Sequence, residues 1–221
     1  MNCFKTSELY DFSHSIAAEF LKNTVYPFEI LGNISQIILE IGKTLDPEIF
    51  KQHDDNIWIA YDAKIAPTAS INGPCIIGRN TEVRHCAFIR GNALIGDGCV
   101  VGNSTELKNV ILFDSVQVPH YNYVGDSVLG YKSHMGAGSI TSNVKSDKSN
   151  VVIKSDGENI NTNLKKVGAF LGDYVEIGCG CVLNPGTMVG KNSSVYPLSS
   201  VRGCIPENSI YKNQGEVAQR I

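Results

Sequence analysis

The sequence predicts an all-β solenoid of six-residue units preceded by a short helical segment, and three patterns make that prediction. The first is a ladder of aliphatic residues at a step of six: Ile59, Ile65, Ile71, Ile77, Val83, Ile89, Ile95, Val101 and Leu107. The second is another ladder in the same step, Leu171, Ile177, Leu183, Val189, Val195 and Val201. The third is the residue four places after each rung. It is small enough for a crowded interior at Ala63, Ala69, Cys75, Thr81, Ala87, Ala93, Cys99 and Thr105, and again at Val175, Cys181, Thr187, Ser193 and Ser199. A six-residue unit supplies one short strand and one corner. It cannot bury its aliphatic residue alone, so units must stack. Glycine follows many rungs (Gly78, Gly96, Gly102, Gly172, Gly178, Gly190), where the chain has to turn with little side-chain bulk.

Composition narrows the function classes. With 221 residues, 43% of them hydrophobic, the chain buries a real core but leaves no room for a second large catalytic domain. The formal net charge of -3 argues against a general nucleic-acid or membrane-surface binder, so any anion site must be local. No apolar run approaches the roughly 20 residues that span a bilayer, and the first residues lack a signal peptide's basic-then-apolar order, so the expectation is a cytoplasmic protein. Seven cysteines are an odd count, and Cys179 with Cys181 is not a CxxC pair. Cys75, Cys99 and Cys181 fall in the small interior slot and read as small hydrophobes.

Along the chain, residues 1–55 form an N-terminal helical segment. Leu9, Phe12, Ile16 and Phe20 behind Ser7 predict one amphipathic helix over 7–22. Ile34, Ile37, Ile38, Ile41 and Leu45 predict a second, which ends before Asp46-Pro47. Both are expected to pack on the solenoid, which runs over residues 56–205 and leaves a tail at 206–221. From Leu107 the ladder continues through Leu112, Val118, Val124, Leu129 and Met135 with two steps of five, so the coil is locally reshaped. Residues 142–168 abandon the repeat, carry five lysines and place Asp156-Gly157 as a turn between two short strands. Such an excursion is a natural carrier of binding residues.

Three long cations stand where a small residue usually follows the rung: Arg84, Arg90 and Lys108. Arg90 and Lys108 are eighteen residues apart with no irregular step between, which puts them on one corner of successive coils, about 4.8 Å apart. Like charges stacked this way suit a phosphate between them. Arg84 falls on another face and reads as a solvated surface cation. His120, in the coil above the pair, leads into the strand topped by Val124 and is expected to approach the same edge. Histidine is the usual base for an attacking amine because its ordinary pKa lies near working pH.

The repeat resembles the hexapeptide-repeat family, whose fold is a left-handed parallel β-helix of triangular cross-section. Through EVRHCAFIRG, STELKNV, VPHYNYVGDSVLG, MGAGSITSN and LGDYVEIG, over most of residues 80–205, the chain resembles the acetyltransferase domain of bifunctional enzymes that make UDP-N-acetylglucosamine. The resemblance implies a trimeric acetyl-CoA-dependent N-acyltransferase that acts on an amino-sugar phosphate such as glucosamine 1-phosphate and requires no metal. It makes His120 the general base, and Tyr123 the tyrosine of the H-x-x-Y-x-G-D motif. Arg90 and Lys108 become the sugar-phosphate cations and Asn143 a sugar-side contact. Lys148 matches a nearby family lysine, and Ala137 is implied as the backbone donor to the oxyanion. Three departures stand out. His134 replaces a sugar-contacting asparagine. On the acyl-CoA side, Cys179 stands for serine and Pro197 for alanine. The nucleotidyltransferase half has no counterpart in the 55 residues before the solenoid.

Three other readings stand beside this one. A zinc hydratase on the same scaffold needs an H-x4-H pair, which His14, His53, His85, His120 and His134 do not supply. A non-catalytic assembly protein, or an acyltransferase for a different amino or hydroxyl sugar, would keep the solenoid and change the site.

Overall fold

The computed structural model describes residues 4–54, 56–155, 158–212 and 216–219. It is a left-handed β-helix of about eight coils, and the rungs of both ladders point into its interior. Three parallel faces follow one another around each coil. Face one stacks Ile57–Ala60, Cys75–Ile77, Ala93–Ile95, the second half of Glu106–Leu112, the second half of Tyr123–Leu129, Ala169–Leu171, Thr187–Val189 and Cys204–Ile205. Face two stacks Lys64–Ile65, Glu82–Val83, Val100–Asn103, Gln117–His120, His134–Met135, Glu176–Ile177, Ser194–Val195 and Ser209–Tyr211. Face three stacks Ser70–Ile71, Phe88–Ile89, the first halves of the two long strands, Ile140–Thr141, Val182–Leu183 and Ser200–Val201.

The interior is as the small-residue slot requires. Cys75, Cys99 and Cys181 are buried, and burial pushes the Cys75 and Cys99 thiols up to about 12, so they sit in the core as neutral, unreactive groups. The six described cysteines are free.

All four departures from the six-residue step, two steps of five, the excursion and the step of four from Val201 to Ile205, fall on one corner, between face three and face one. The five-residue steps are Leu107 to Leu112 and Val124 to Leu129, and each lets a single strand, Glu106–Leu112 or Tyr123–Leu129, bend straight through the corner. Asn109 and Asp126 make these tight bends at φ 56° and 50°, a left-handed conformation that Asn and Asp tolerate better than most residues. On the next coil the same corner is replaced by the excursion. It leaves after Ile140–Thr141, forms an antiparallel hairpin of Val152–Ser155 with Glu158–Asn161, and returns at Ala169–Leu171. Its two ends close on each other through the Val144 to Lys166 bridge and Val167 N–H to Asn143 O at 3.0 Å. Val151 and Ile153 are buried against Gly186, where an added Cβ would lie 3.0 and 3.1 Å from them. The predicted Asp156-Gly157 turn lies outside the described residues.

The N-terminal segment covers face one. The outward residues of that face, Trp58, Ile76, Leu94, Ile111, Val128, Phe170 and Met188, are all buried. Fully removing each such side chain from water contributes about 1.5–3 kcal/mol. Helix Ile34–Gly42 lies on three of its strands, with Gly42 so close to Trp58 that a Cβ would sit 2.5 Å from the ring. This is the second predicted helix.

The first predicted helix is a correction. Residues 7–22 do not form one helix but three short pieces, Thr6–Leu9, the 3-10 turn Phe12–His14, and Ala18–Lys22. Tyr10 and Ser15 are extended, Asp11 turns its carboxylate onto Ser13 N–H, and the solenoid takes backbone groups that a helix would use. Asp173 accepts from Asp11 N–H at 2.7 Å, and Asp114 N–H donates to His14 O at 3.0 Å. Ile16, assigned to the apolar face, is 46% exposed. No helix among the described residues is long and apolar enough to cross a membrane.

Candidate active site

The corner where the register breaks holds most of the predicted sugar-side residues. Arg90 and Lys108 stack there as expected, with Arg90 N–H donating to Leu107 O at 2.8 Å. Each cation, however, has a carboxylate of its own. Arg90 pairs with Glu106 at 2.6 Å on the outer side of face three, and Lys108 Nζ lies 2.8 Å from Asp126 Oδ1. Glu106 holds the Arg90 guanidinium above its usual range by hydrogen bond and charge, with smaller help from Tyr123 and Asp126. The corner is therefore balanced in charge rather than bare and positive.

Asp126 is its centre. The residue is 3% exposed, and both carboxylate oxygens are occupied: Oδ1 accepts from Lys108 and from Asn109 Nδ2 at 2.9 Å, Oδ2 from Asn143 Nδ2 at 2.6 Å. Charge-assisted bonds of this kind satisfy a buried carboxylate. Asn143 Nδ2 is also 3.2 Å from Tyr123 Oη, which joins the tyrosine to the cluster. Burial raises the Tyr123 phenol, and nearby Asp126 and Glu106 add to this against the Asn143 bond and Arg90, so it stays protonated as a donor. Gly125 makes room for this arrangement. A Cβ there would meet Tyr123 Oη at 2.6 Å and Asn143 Nδ2 at 3.0 Å. The other hydrogen of the Asn109 amide reaches Leu31 O at 3.1 Å, so the N-terminal segment touches the cluster's rim.

His120 is not on this corner. It stands exposed at the other end of face three, where face two turns into it, because it precedes the strand Tyr123–Leu129 whereas Lys108 follows the rung Leu107. Asn122 fixes its backbone. Asn122 Oδ1 accepts from His120 N–H at 3.1 Å while Nδ2 donates to Gly136 O and Ser139 O at 2.9 and 3.0 Å. The predicted acyl-CoA residues other than Lys148 share this second corner. Gly138 N–H bonds His120 O, Gly180 N–H bonds Ala137 O and Leu198 N–H bonds Cys179 O at 3.0, 2.8 and 2.9 Å, so His120, Ala137, Cys179 and the Pro197-Leu198 turn form one column.

His134 lies on neither corner. It is an outward residue of face two, between Gln117 and Glu176, with Nδ1 2.8 Å from Glu176 Oε2. Lys148 is exposed in the excursion at φ 56°. Arg84, read as a surface cation, pairs with Glu82 at 3.0 Å. Among the described residues no group of three or more His, Cys, Asp or Glu side chains is placed to hold a metal ion. Sequence reasoning missed Asp126, Asn109, Glu106 and Gly125. The glycine and aspartate of the Y-x-G-D stretch and the STELKNV segment were the available signal.

The chain is similar in sequence to several known proteins. The model of a GMPPB C-terminal domain matches residues 71–162. A bifunctional GlmU protein of Methanococcus maripaludis is 31% identical over 127 residues, 57% of this chain and 31% of that protein. A bifunctional sugar-1-phosphate nucleotidylyltransferase/acetyltransferase of Sulfurisphaera tokodaii is 28% identical over 186 residues, 79% of this chain and 46% of its own length. A solved hexapeptide transferase family protein of Anaplasma phagocytophilum overlays with a TM-score of 0.43 at 15% identity, over 80% of this chain and 86% of that one. The chain has the hexapeptide-transferase type of acetyltransferase fold. Its curated relatives are GlmU-type bifunctional enzymes, matched over their C-terminal acetyltransferase region, and it spans less than half the length of these two.

Proposed function

We propose that the chain is an acyl-CoA-dependent N-acyltransferase that takes acetyl-CoA as donor and an amino-sugar phosphate such as glucosamine 1-phosphate as acceptor. The observation that carries the proposal is the Lys108–Asp126–Asn143–Tyr123 cluster, built where every register break of the solenoid falls and joined by face three to the column of His120. The names of the GlmU-type relatives agree with a sugar-phosphate acceptor.

The sugar phosphate rests on Arg90 and Lys108, with Tyr123 and Asn143 contacting the ring. The donor lies along the second corner past Ala137, Cys179 and Pro197, with Lys148 on the CoA side. The acceptor amine attacks the thioester carbonyl, forming the C–N bond and breaking the C–S bond. His120 takes the amine's proton and returns it to the departing thiolate. Among the described residues the Ala137 N–H meets no acceptor, which suits it to the developing oxyanion.

His134 is separated from the cation corner within one chain and reaches the same sugar only from a neighbouring subunit. The proposal therefore includes a homotrimer with each site shared by two chains; a solution mass of 24.0 kDa, that of one chain, would contradict it.

A phosphate must compete with Glu106 for Arg90, which makes Arg90→Ala the clean test of the anion site. It leaves the Asp126 cluster intact and is expected to weaken glucosamine 1-phosphate by about tenfold while acetyl-CoA binding is unchanged. Titration calorimetry with each ligand checks this, and normal sugar-phosphate binding by the variant places the phosphate elsewhere. The reading as a whole is tested by a thermal-shift screen with acetyl-CoA and glucosamine 1-phosphate. It expects stabilisation by each, and absence of any response to acetyl-CoA favours an assembly protein.

A further inference from the structure

The buried carboxylate of the cation corner is held from outside the solenoid as well as from within it. Asn109, itself buried, stands between Asp126 and the N-terminal segment. Its Nδ2 donates to Asp126 Oδ1 at 2.9 Å and to Leu31 O at 3.1 Å. Two bonds from one planar amide fix its rotation, whereas either alone would let the group swing about the other.

The residue type follows from the position. Asn109 turns the corner at φ 56°, a conformation that favours Gly, Asn and Asp. Glycine has no side chain to donate. An aspartate would set a second carboxylate against Asp126 and against a carbonyl oxygen. Of the three, only asparagine makes the bend and supplies two N–H groups to two acceptors.

The other end of the tie is equally prepared. Leu31 caps the 3-10 turn Pro27–Ile30 and precedes helix Ile34–Gly42, whose Ile37 N–H bonds Asn33 O. No backbone N–H among the described residues donates to Leu31 O, and Leu31 is buried, so the Asn109 amide satisfies a carbonyl left over between two helices. Helix Ile34–Gly42 lies on Glu106–Leu112, the strand that carries Asn109. Tyr10 Oη donates at 3.2 Å to Val128 O, two residues past Asp126. The segment thus grips both strands of the cluster.

We infer, on the acceptor reading proposed for this corner, that the N-terminal segment is a working part of the sugar-phosphate site. Leu31 and Asn109 are positioning residues that fix Asp126 and, through it, Lys108 and Asn143. Loss of the tie moves the groups that hold the acceptor and spares the donor column of His120, Ala137 and Cys179 at the other end of face three.

Gly32 allows the carbonyl to be turned without touching the cluster. Leu31 lies at φ -58° and ψ -35°, a region that a following proline disfavours, so Gly32→Pro rotates Leu31 O away from Asn109. Gly32→Ala is the control, because a Cβ there meets nothing within 4 Å. Asn109→Gly keeps the bend and removes the amide. Steady-state kinetics of the full chain should show the KM for glucosamine 1-phosphate raised about tenfold in Gly32→Pro and in Asn109→Gly. The kcat and the KM for acetyl-CoA should stay near those of the unaltered protein, and Gly32→Ala should change nothing. Hydrogen exchange followed by mass spectrometry gives a readout that needs no substrate. Amides of residues 123–129 should exchange about tenfold faster in Gly32→Pro, and amides of 27–33 likewise in Asn109→Gly, which decides the tie even where the proline variant does not fold. An unaltered protein that acetylates no amino-sugar phosphate would sink the acceptor reading, while the exchange at 27–33 would still support or overturn the tie. An unchanged sugar KM in Asn109→Gly, an equal loss for both substrates, the same rise in Gly32→Ala, or unchanged exchange at 27–33 in Asn109→Gly would each overturn the inference.

Discussion

Replacing His120 by alanine is expected to lower turnover about 100-fold or more while assembly and CoA affinity stay close to those of the unaltered protein. The expectation rests on placement. His120 shares its column with Ala137 and Cys179, where the thioester carbonyl is proposed to lie, and its backbone is pinned by Asn122 rather than by its ring. The exposed imidazole has no hydrogen-bond partner among the described residues, so its removal is expected to leave the coil unchanged and to take away only the proton acceptor. His134 is the competitor, since Glu176 orients it in the manner of a catalytic base. The acidic limb of the rate profile separates the two. It should vanish in His120→Ala and persist in His134→Ala. Unaltered turnover in the first variant together with its loss in the second would move the base to His134.

Asp126→Ala is expected to have the largest effect on stability and to remove sugar binding with it. The carboxylate is buried and holds one cation and two amides from the coils on either side. Without it Lys108 loses its partner, and the side-chain amides of Asn109 and Asn143 lose an acceptor in a site that water reaches poorly. Breaking a buried pair in this way costs about 3 kcal/mol or more. Denaturant unfolding measures the loss. A midpoint within error of the unaltered protein would show that the cluster is peripheral. The change also frees Asn143 and Tyr123 to move, so glucosamine 1-phosphate binding should fall even where enough folded protein remains.

The ladders were legible because the physics behind them is local and repetitive. Every aliphatic rung must point inward, and a step of six has no helical or hairpin alternative over so many repeats. The two five-residue steps were visible too, but their meaning was not. Only the three-dimensional register shows that both fall on the corner that the excursion then replaces, and that the shortened turns place Asn109 and Asp126 in left-handed bends. Arg90 and Lys108 could be stacked from arithmetic alone. Their carboxylates could not, since Glu106 and Asp126 lie sixteen and eighteen residues from their partners and carry no signal of pairing.

His120 stands at the corner that leads into face three, as the ladder implies, but Arg90 and Lys108 occupy the opposite end of that face. Counting along the ladder gives the coil, but it does not say which end of a face a residue occupies unless the strand's own limits are known. The broken helix over 6–22 has a different cause. Its apolar spacing is genuine at Leu9 and Leu21, both buried, but docking on Asp114 and Asp173 redirects its backbone hydrogen bonds. One further pattern was present and unused. Ile76, Leu94, Ile111 and Val128 each precede a rung by one position and face outward, yet all are aliphatic, which marks a face that something covers.

The central claim is that this fold transfers an acyl group from CoA to the nitrogen of an amino-sugar phosphate. Thiol release from acetyl-CoA over a panel of amino-sugar phosphates, with the sugar product identified by its mass, tests that claim most directly. The account predicts release that depends on the acceptor, equimolar with a product that has gained one acetyl group on nitrogen, and lost in His120→Ala. Acetyl-CoA that stays intact with every acceptor, or that is hydrolysed at a rate no acceptor changes, would contradict it.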